Sequence, residues 1–176
     1  GSLNLAAYST IARGEGDKAP LEMTKWFDSN YHYLVPEIGP ETVFALASTR
    51  WVDEFVEGKD AGYVTRPVIT GPLTFLHLAK ASDDAPAGFD PISRLDDLLP
   101  VYAELLAAFK AAGVEWVQID EPILVADTDT ERAEVLANAE RVYAWLGDQT
   151  ARPQILVAAP MGSLDDALPV LAATPV

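Results

Sequence analysis

Two adjacent carboxylates, Asp120 and Glu121, follow the apolar run at residues 114–119 (VEWVQI) and precede Pro122. Parallel α/β folds bind ligands at the carboxyl ends of their strands, so either group could bind a substrate amine or act as a general acid or base. Adjacent strand residues point to opposite faces, which argues against a close carboxylate dyad. The alternative is a structural role, in which Asp120 accepts backbone N–H bonds in the turn and Glu121 pairs with a neighbouring cation.

A helix start could form a second site, at residues 71–74 (GPLT). The run at residues 64–70 (VTRPVIT) ends there, and the free N–H groups at the start of a helix can bind an anion. A tight turn with Pro72 at the first helical position accounts for the same residues without a ligand. The motif by itself favours the turn.

A third candidate region combines a cation with polar and aromatic side chains, before and within a predicted strand at residues 30–35 (NYHYLV). Its members are Lys25, Trp26, Asp28, Asn30, Tyr31, His32 and Tyr33. The chain has two histidines, His32 and His77, and no cysteine, so a zinc site built from this chain alone lacks its usual ligands. His77 lies in an apolar helical run, which favours a packed residue over a metal ligand.

Composition and charge exclude several classes of function. Twelve Lys and Arg against 27 Asp and Glu give a net charge of −15, whereas nucleic acids and anionic membrane surfaces attract clustered positive charge. No apolar run approaches the roughly 20 residues that cross a bilayer, and no secretory signal is visible. Since 49% of the 176 residues are hydrophobic and none is cysteine, we expect one globular cytoplasmic domain without disulfides, and neither a nucleic acid nor a membrane as partner.

Apolar β-branched runs alternate with helical periodicity from residue 63 onward. Strands are predicted at residues 64–70, 114–119 and 154–158. One helix is predicted on the stripe Leu98, Tyr102, Leu105, Leu106 and Phe109, with Gly113 just past its end and Pro100 at its start or at a kink. A second begins at the capping-box spacing of residues 128–131 (TDTE) and has the stripe Leu136, Ala139, Val142, Tyr143 and Leu146. Residues 50–57 are predicted to be helical, and residues 81–91 to form a surface loop.

Strands followed by helices, about four times over, predict an α/β fold with a parallel sheet and right-handed crossovers. Two architectures fit this pattern, an open doubly wound sheet and part of a (β/α)8 barrel. A whole barrel typically needs about 250 residues, and this chain supplies roughly half of its units. An incomplete barrel leaves edge strands and an apolar interior uncovered, so we expect self-association into a dimer or higher assembly.

Residues 22–37 (EMTKWFDSNYHYLVPE) resemble the corresponding segment in the N-terminal domain of cobalamin-independent methionine synthase. Further matches follow in the same order, at residues 71–76 (GPLTFL), 99–102 (LPVY) and 113–122 (GVEWVQIDEP). The resemblance implies a partial (β/α)8 TIM barrel, with residues 3–176 forming part of the N-terminal barrel of a longer two-barrel protein. Residues 1–2 (GS) are typical of a scar left by tag removal.

The same resemblance implies a methyltransferase that moves a methyl group from 5-methyltetrahydropteroyltri-L-glutamate to L-homocysteine, with zinc stabilising the homocysteine thiolate. In that family the zinc ligands, the catalytic histidine and the homocysteine site lie in the C-terminal barrel. No catalytic or metal residue is therefore assigned to this chain, and the isolated chain is expected to be inactive.

The resemblance also implies that Lys25 contacts the folate's glutamate tail, a role that suits a flexible point charge. A surface lysine paired with Glu22 or Asp28 is the alternative. Asp120 and Glu121 resemble the family's N-terminal Asp-Glu-Pro, for which a structural role is implied in a copy without metal. The family's other N-terminal folate contacts lie upstream of Leu3.

Two interpretations from other functional classes stay open. The first is a free-standing acidic α/β module that binds an anionic metabolite or a partner protein without catalysis. The second is a small hydrolase that uses Asp120 or Glu121 as acid or base, which ranks last because no nucleophile or metal is visible nearby.

Overall fold

The computed structural model describes residues 5–128 and 130–176. These residues form seven strands: β1 (Met23–Lys25), β2 (His32–Leu34), β3 (Glu37–Ile38), β4 (Val68–Thr70), β5 (Lys80–Ala81), β6 (Trp116–Asp120) and β7 (Gln154–Ala158). They also form six α-helices: α1 (Leu5–Arg13), α2 (Arg50–Asp60), α3 (Pro72–His77), α4 (Leu95–Ala112), α5 (Arg132–Gly147) and α6 (Ala167–Ala172). Short 3-10 helices cover Pro91–Arg94 and Pro122–Leu124. The predicted tag scar at residues 1–2 lies outside the described residues.

The central sheet has the strand order β4-β6-β7, and both pairings are parallel. Ile119 in the middle strand lies opposite Ile69 on one side and Val157 on the other. A second parallel pair joins β3 to β5, and β1 and β2 form an antiparallel hairpin. Parallel strands alternating with helices confirm the α/β class and are compatible with part of a barrel. Because the described strands form three separate sheets, the barrel itself stays a prediction.

Two long helices bury the apolar stripes predicted for them. Helix α4 places Leu98, Leu105, Leu106 and Phe109 in the core, and α5 places Ala139, Val142, Tyr143 and Leu146 there. Gly113 has φ +86° just past the end of α4, a left-handed conformation that favours glycine. Helix α4 begins at Leu95, so Pro100 lies inside it. In the part of the chain that is described, no helix is both long and apolar enough to cross a membrane.

Two predicted boundaries are wrong for local reasons. Helix α5 begins at Arg132 and not after Thr128, because the Thr128 hydroxyl accepts a hydrogen bond from the Thr130 N–H at 2.8 Å and forms a turn. Residue 129 of the predicted capping box lies outside the described residues. The strand predicted at residues 64–70 is confined to Val68–Thr70, because Pro67 has no N–H to donate to a ladder.

The remaining boundaries differ by a few residues or agree. Strand β7 occupies the predicted residues 154–158, β6 is shifted to Trp116–Asp120, and β2 is shorter than the predicted residues 30–35. Helix α2 continues to Asp60, three residues beyond its predicted end. Residues 82–90 form turns and bends, as predicted for a surface loop.

Arg94 holds the irregular segment at residues 39–44 against the start of α4. Its Nη1 donates to the carbonyl oxygens of Gly39 at 2.6 Å and Pro40 at 2.5 Å, and its Nη2 donates to that of Thr42 at 2.9 Å. The guanidinium carbon lies 5.6 Å from the centre of the Phe44 ring. The Arg94 side chain is only 16% exposed. The Gly39 carbonyl also accepts a hydrogen bond from the Thr42 N–H at 3.1 Å, whereas the carbonyls of Pro40 and Thr42 accept theirs from Arg94.

Replacing Arg94 with Met keeps an apolar stem and removes all of these donors. We expect the free energy of unfolding to fall by about 1–3 kcal/mol, the usual cost of leaving a buried acceptor unpaired, because the partly buried Thr42 carbonyl loses its donor. Arg50→Met is the matched control, because the Arg50 side chain is 74% exposed and pairs with Glu54 on its own helix. Urea unfolding of the two variants measures the difference, and equal losses would contradict this role of Arg94.

Candidate functional site

The carboxyl ends of the three central strands are tied together through their backbones. The Gly71 N–H, after β4, donates to the Asp120 carbonyl at 2.8 Å. The Glu121 N–H, after β6, donates to the Ala158 carbonyl at 2.7 Å. The residues that the sequence singled out after these strands therefore meet at one edge of the sheet, where parallel α/β folds bind ligands.

Glu121 is fully buried and lies against the start of α3. Its Oε1 accepts a hydrogen bond from the Thr74 N–H at 3.0 Å, and the Leu73 N–H is a second backbone donor. A Cβ on residue 71 would lie 1.8 Å from Oε1, so the close approach requires Gly71. Since the helix N–H groups are occupied by the chain's own carboxyl, residues 71–74 form the predicted turn, with Pro72 as the first helical residue.

Burial controls the protonation of Glu121. It raises the pKa of Glu121 to about 8, against the opposing effect of the Thr74 and Leu73 hydrogen bonds. The predicted pairing with a neighbouring cation is wrong, since Oε2 has no hydrogen-bond partner among the described atoms. A lone buried charge is costly in the absence of a cation, so the carboxyl is held neutral at pH 7.

Two tyrosines, the fully buried Tyr143 and the half-buried Tyr102, interact electrostatically with this carboxyl. Burial holds the pKa of Tyr102 and Tyr143 well above their ordinary value, and the Glu121 charge adds to the effect on both. The Tyr102 hydroxyl donates to the Thr70 carbonyl at 2.7 Å, at the end of β4. Glu121 thus lies in a buried polar cluster that connects α3, α4 and α5 to the strand ends.

Asp120 has a different environment. It is half-buried, and its Oδ1 accepts a hydrogen bond from the Gln118 Nε2 at 2.7 Å. The predicted backbone N–H donors from the turn are not its partners. Gln118 in turn accepts a hydrogen bond from the Arg66 Nη2 at 2.7 Å, so Asp120 ends a chain of polar side chains along β6.

Lys25 is exposed on the hairpin of β1 and β2, where it lies opposite His32. The alternative pairing with Glu22 is not observed, because Glu22 instead accepts a salt bridge from Lys80 at 3.3 Å. Within residues 5–128 and 130–176, no carboxylate forms an ion pair with the Lys25 Nζ, Asp28 included. Its ammonium group is therefore available to an external anion.

A cleft of about 410 Å³ opens beside this hairpin, at the ends of β6 and β7. Its walls are Phe27, Asp28, Pro122, Val125, Ala126, Asp127, Pro160 and Met161. Phe27 and Met161 both have positive φ, +49° and +81°, which is uncommon for residues other than glycine. Sequence reasoning missed Asp127 and Met161, because only the tertiary structure brings the loops after β6 and β7 to face the segment after β1.

The described part of the chain contains no group of three or more His, Cys, Asp or Glu side chains that could hold a metal ion. His77 is half-buried, its Nε2 has no hydrogen-bond partner among the described atoms, and burial lowers its pKa. These features fit a packed histidine. The described residues therefore do not fit the zinc site implied for the family's catalytic chemistry.

Parallel strands with polar side chains at their carboxyl ends define an α/β protein with a strand-end site. Over residues 1–176 the chain matches the family described as cobalamin-independent synthase, N-terminal domain, and it belongs to that family. The resemblance seen at residues 22–37 is thereby confirmed.

Relatives named 5-methyltetrahydropteroyltriglutamate–homocysteine methyltransferase share about half of the residues. The chain is 56% identical to the protein from Streptomyces avermitilis over 98% of its own length. It is 50% identical to the one from Rhodococcus jostii over 97% of its length, and 51% identical to one from Mycobacterium tuberculosis over 98%. It spans 22% of the length of each of these relatives.

Glu121→Gln tests the buried neutral carboxyl. The folded pKa of about 8 exceeds the value of about 4.3 for an unfolded glutamate, so only the unfolded chain releases the proton between these limits. The stability that the neutral carboxyl contributes is complete below pH 4.3. It falls as the pH rises from there and is lost once the pH has risen through 8, and the folding equilibrium constant decreases by up to about tenfold per pH unit. We expect urea unfolding from pH 5 to 9 to show this slope in the wild type and a flatter profile in Glu121→Gln. Exposed Glu104→Gln is the control and should keep the wild-type slope; equal slopes in all three proteins would refute the assignment.

Proposed function

We propose that this chain is part of a methyltransferase that moves a methyl group from 5-methyltetrahydropteroyltri-L-glutamate to L-homocysteine and makes L-methionine. Family membership and relatives of that name at 50–56% identity support the proposal. The segment supplies scaffold and a contact to the folate tail. The zinc site and the homocysteine site belong to the C-terminal barrel of the longer protein, so the isolated chain does not catalyse the transfer.

The tail contact is proposed because the Lys25 ammonium is exposed and has no carboxylate partner among the described residues. The glutamate tail is polyanionic, and the chain itself has a net charge of −15, so an anionic ligand needs a local cation. Lys80, by contrast, forms ion pairs with Glu22 and Glu37. A lysine on a short hairpin can follow a flexible tail as a point charge.

Asp120 and Glu121 have a structural part in this proposal. Glu121 is neutral, fully buried and bonded to the start of α3, so it offers neither a charge nor an accessible proton to a substrate. Asp120 accepts a hydrogen bond from the Gln118 side chain of the same strand, at the end of β6. The hydrolase interpretation has no support in this arrangement.

Lys25→Ala tests the tail contact. We expect calorimetric titration with methyltetrahydropteroyltriglutamate to show binding that Lys25→Ala weakens by about 1–3 kcal/mol, the scale of a charge-assisted hydrogen bond. Lys25→Ala should weaken the binding of the monoglutamate form by less. Lys110→Ala, an exposed lysine at the end of α4, removes the same charge and should bind like the wild type. Equal weakening by the two substitutions, or no tail preference in the wild type, would contradict the contact.

We also propose that the isolated chain self-associates. Among the described strands, β4 and β7 each pair on one side only, and an apolar cavity of about 460 Å³ runs along β4 between residues 44–48 and α4. Such an edge and cavity favour association. Light scattering at tens of micromolar should give a dimer or larger, increasingly so with added salt, because salt screens the repulsion between two chains of −15. A mass of 19.0 kDa at all salt concentrations would refute this.

A further inference from the structure

The hairpin that carries Lys25 is joined to the body of the fold through Tyr33. The Tyr33 hydroxyl donates a hydrogen bond to the carbonyl oxygen of Leu78, at the end of α3, at 3.1 Å. These residues are 45 positions apart in the chain, so the bond is a tertiary link between the hairpin and the helix. Burial, and then the charge of Glu22, raise the pKa of Tyr33, so the phenol stays protonated and able to donate.

Tyr33 also contacts the residues on either side of Lys25. In the hairpin register it lies opposite Thr24, the residue before Lys25. Its ring meets the ring of Trp26, the residue after Lys25, edge to face, with centroids 5.8 Å apart and an interplanar angle of 84°. Tyr33 therefore contacts the hairpin immediately before and immediately after Lys25.

The acceptor of this bond is itself held in place. The Leu78 N–H donates to the Thr74 carbonyl at 3.0 Å, and the Thr74 N–H donates to the buried Glu121 carboxyl at 3.0 Å. The Leu78 carbonyl thus belongs to a helix that is anchored to the end of β6. The hydrogen bond from Tyr33 connects the hairpin to this anchored helix.

We propose that Tyr33 is a positioning residue for Lys25: its hydroxyl bond to Leu78 fixes the hairpin that carries the exposed Lys25 side chain, two residues before the Phe27 wall of the cleft. The inference rests on the proposed contact between Lys25 and the folate tail. Tyr33 does not touch the tail. Without the hydroxyl, the hairpin would keep its own backbone hydrogen bonds, and the ring of residue 33 would keep its contact with Trp26. The hydrogen bond to the Leu78 carbonyl would be lost. Binding of the glutamate tail would then have to order a mobile Lys25 side chain.

Tyr33→Phe and Tyr31→Phe form a matched pair for the test. Both substitutions remove one phenol oxygen from the same hairpin, but Tyr31 is 79% exposed, and its hydroxyl makes no hydrogen bond to any described residue. The readout is the ratio of dissociation constants for monoglutamate and triglutamate methyltetrahydrofolate. Calorimetry on the 176-residue chain measures this ratio, and thermal unfolding verifies that each variant is folded.

We expect Tyr33→Phe to lower the tail preference by about 2- to 10-fold, the usual range for one hydrogen bond, and Tyr31→Phe to leave it unchanged. In a Lys25→Ala background, Tyr33→Phe should have no further effect, since the cation that it positions is gone. A purely structural tyrosine would instead weaken both folates equally.

Two results would overturn the inference alone: Lys25→Ala reduces the tail preference while Tyr33→Phe does not, or the effect of Tyr33→Phe persists in the Lys25→Ala background. A chain whose tail preference is absent, or is unaffected by Lys25→Ala, would overturn the tail contact and the positioning role together.

Discussion

The buried contact between Glu121 and the start of α3 is the constraint on which the rest of the structure depends. It buries a carboxyl completely, with no ion-pair partner among the described residues, and the fold compensates with two backbone donors and with protonation. The contact exists because residue 71 is glycine, since any Cβ there would overlap the carboxyl. Strand β4, strand β6 and helix α3 are thereby locked to one another at the edge of the sheet where ligands bind in folds of this class.

This lock connects the interior to the surface. Helix α3 fixes the position of the Leu78 carbonyl, which accepts a hydrogen bond from the Tyr33 hydroxyl. Tyr33 lies on the same hairpin as Lys25. The chain thus separates two kinds of charged residue by environment. The Glu121 carboxyl is buried and neutral, whereas the Lys25 ammonium is exposed and has no ion-pair partner in the described part of the chain. In a chain of net charge −15, the attraction that such a cation exerts on an anion is confined to its own neighbourhood.

Much of the local structure could be predicted from the sequence. The run at residues 154–158 is a strand, Gly113 ends α4 with positive φ, and Pro72 opens α3. These features depend on neighbours in the chain. The capping box at residues 128–131 failed because the Thr128 hydroxyl bonds within a turn, a local competition that spacing does not reveal. The residues singled out after β4 and β6 do meet at one edge of the sheet. The predicted partners of Asp120 and Glu121 were wrong, because Asp120 pairs with Gln118 of its own strand and Glu121 with helix α3, which is distant in the chain.

The sequence by itself determined the α/β class, the family and the residues worth testing, because periodicity, turn residues and motifs are properties of contiguous segments. The tertiary structure decided what those residues do. Glu121 is neutral only because α3, α4 and α5 exclude water from it, and desolvation is a property of the packed interior. The link from Tyr33 to Leu78 spans 45 positions, and a hydrogen bond at that separation exists only once the hairpin and the helix are packed together.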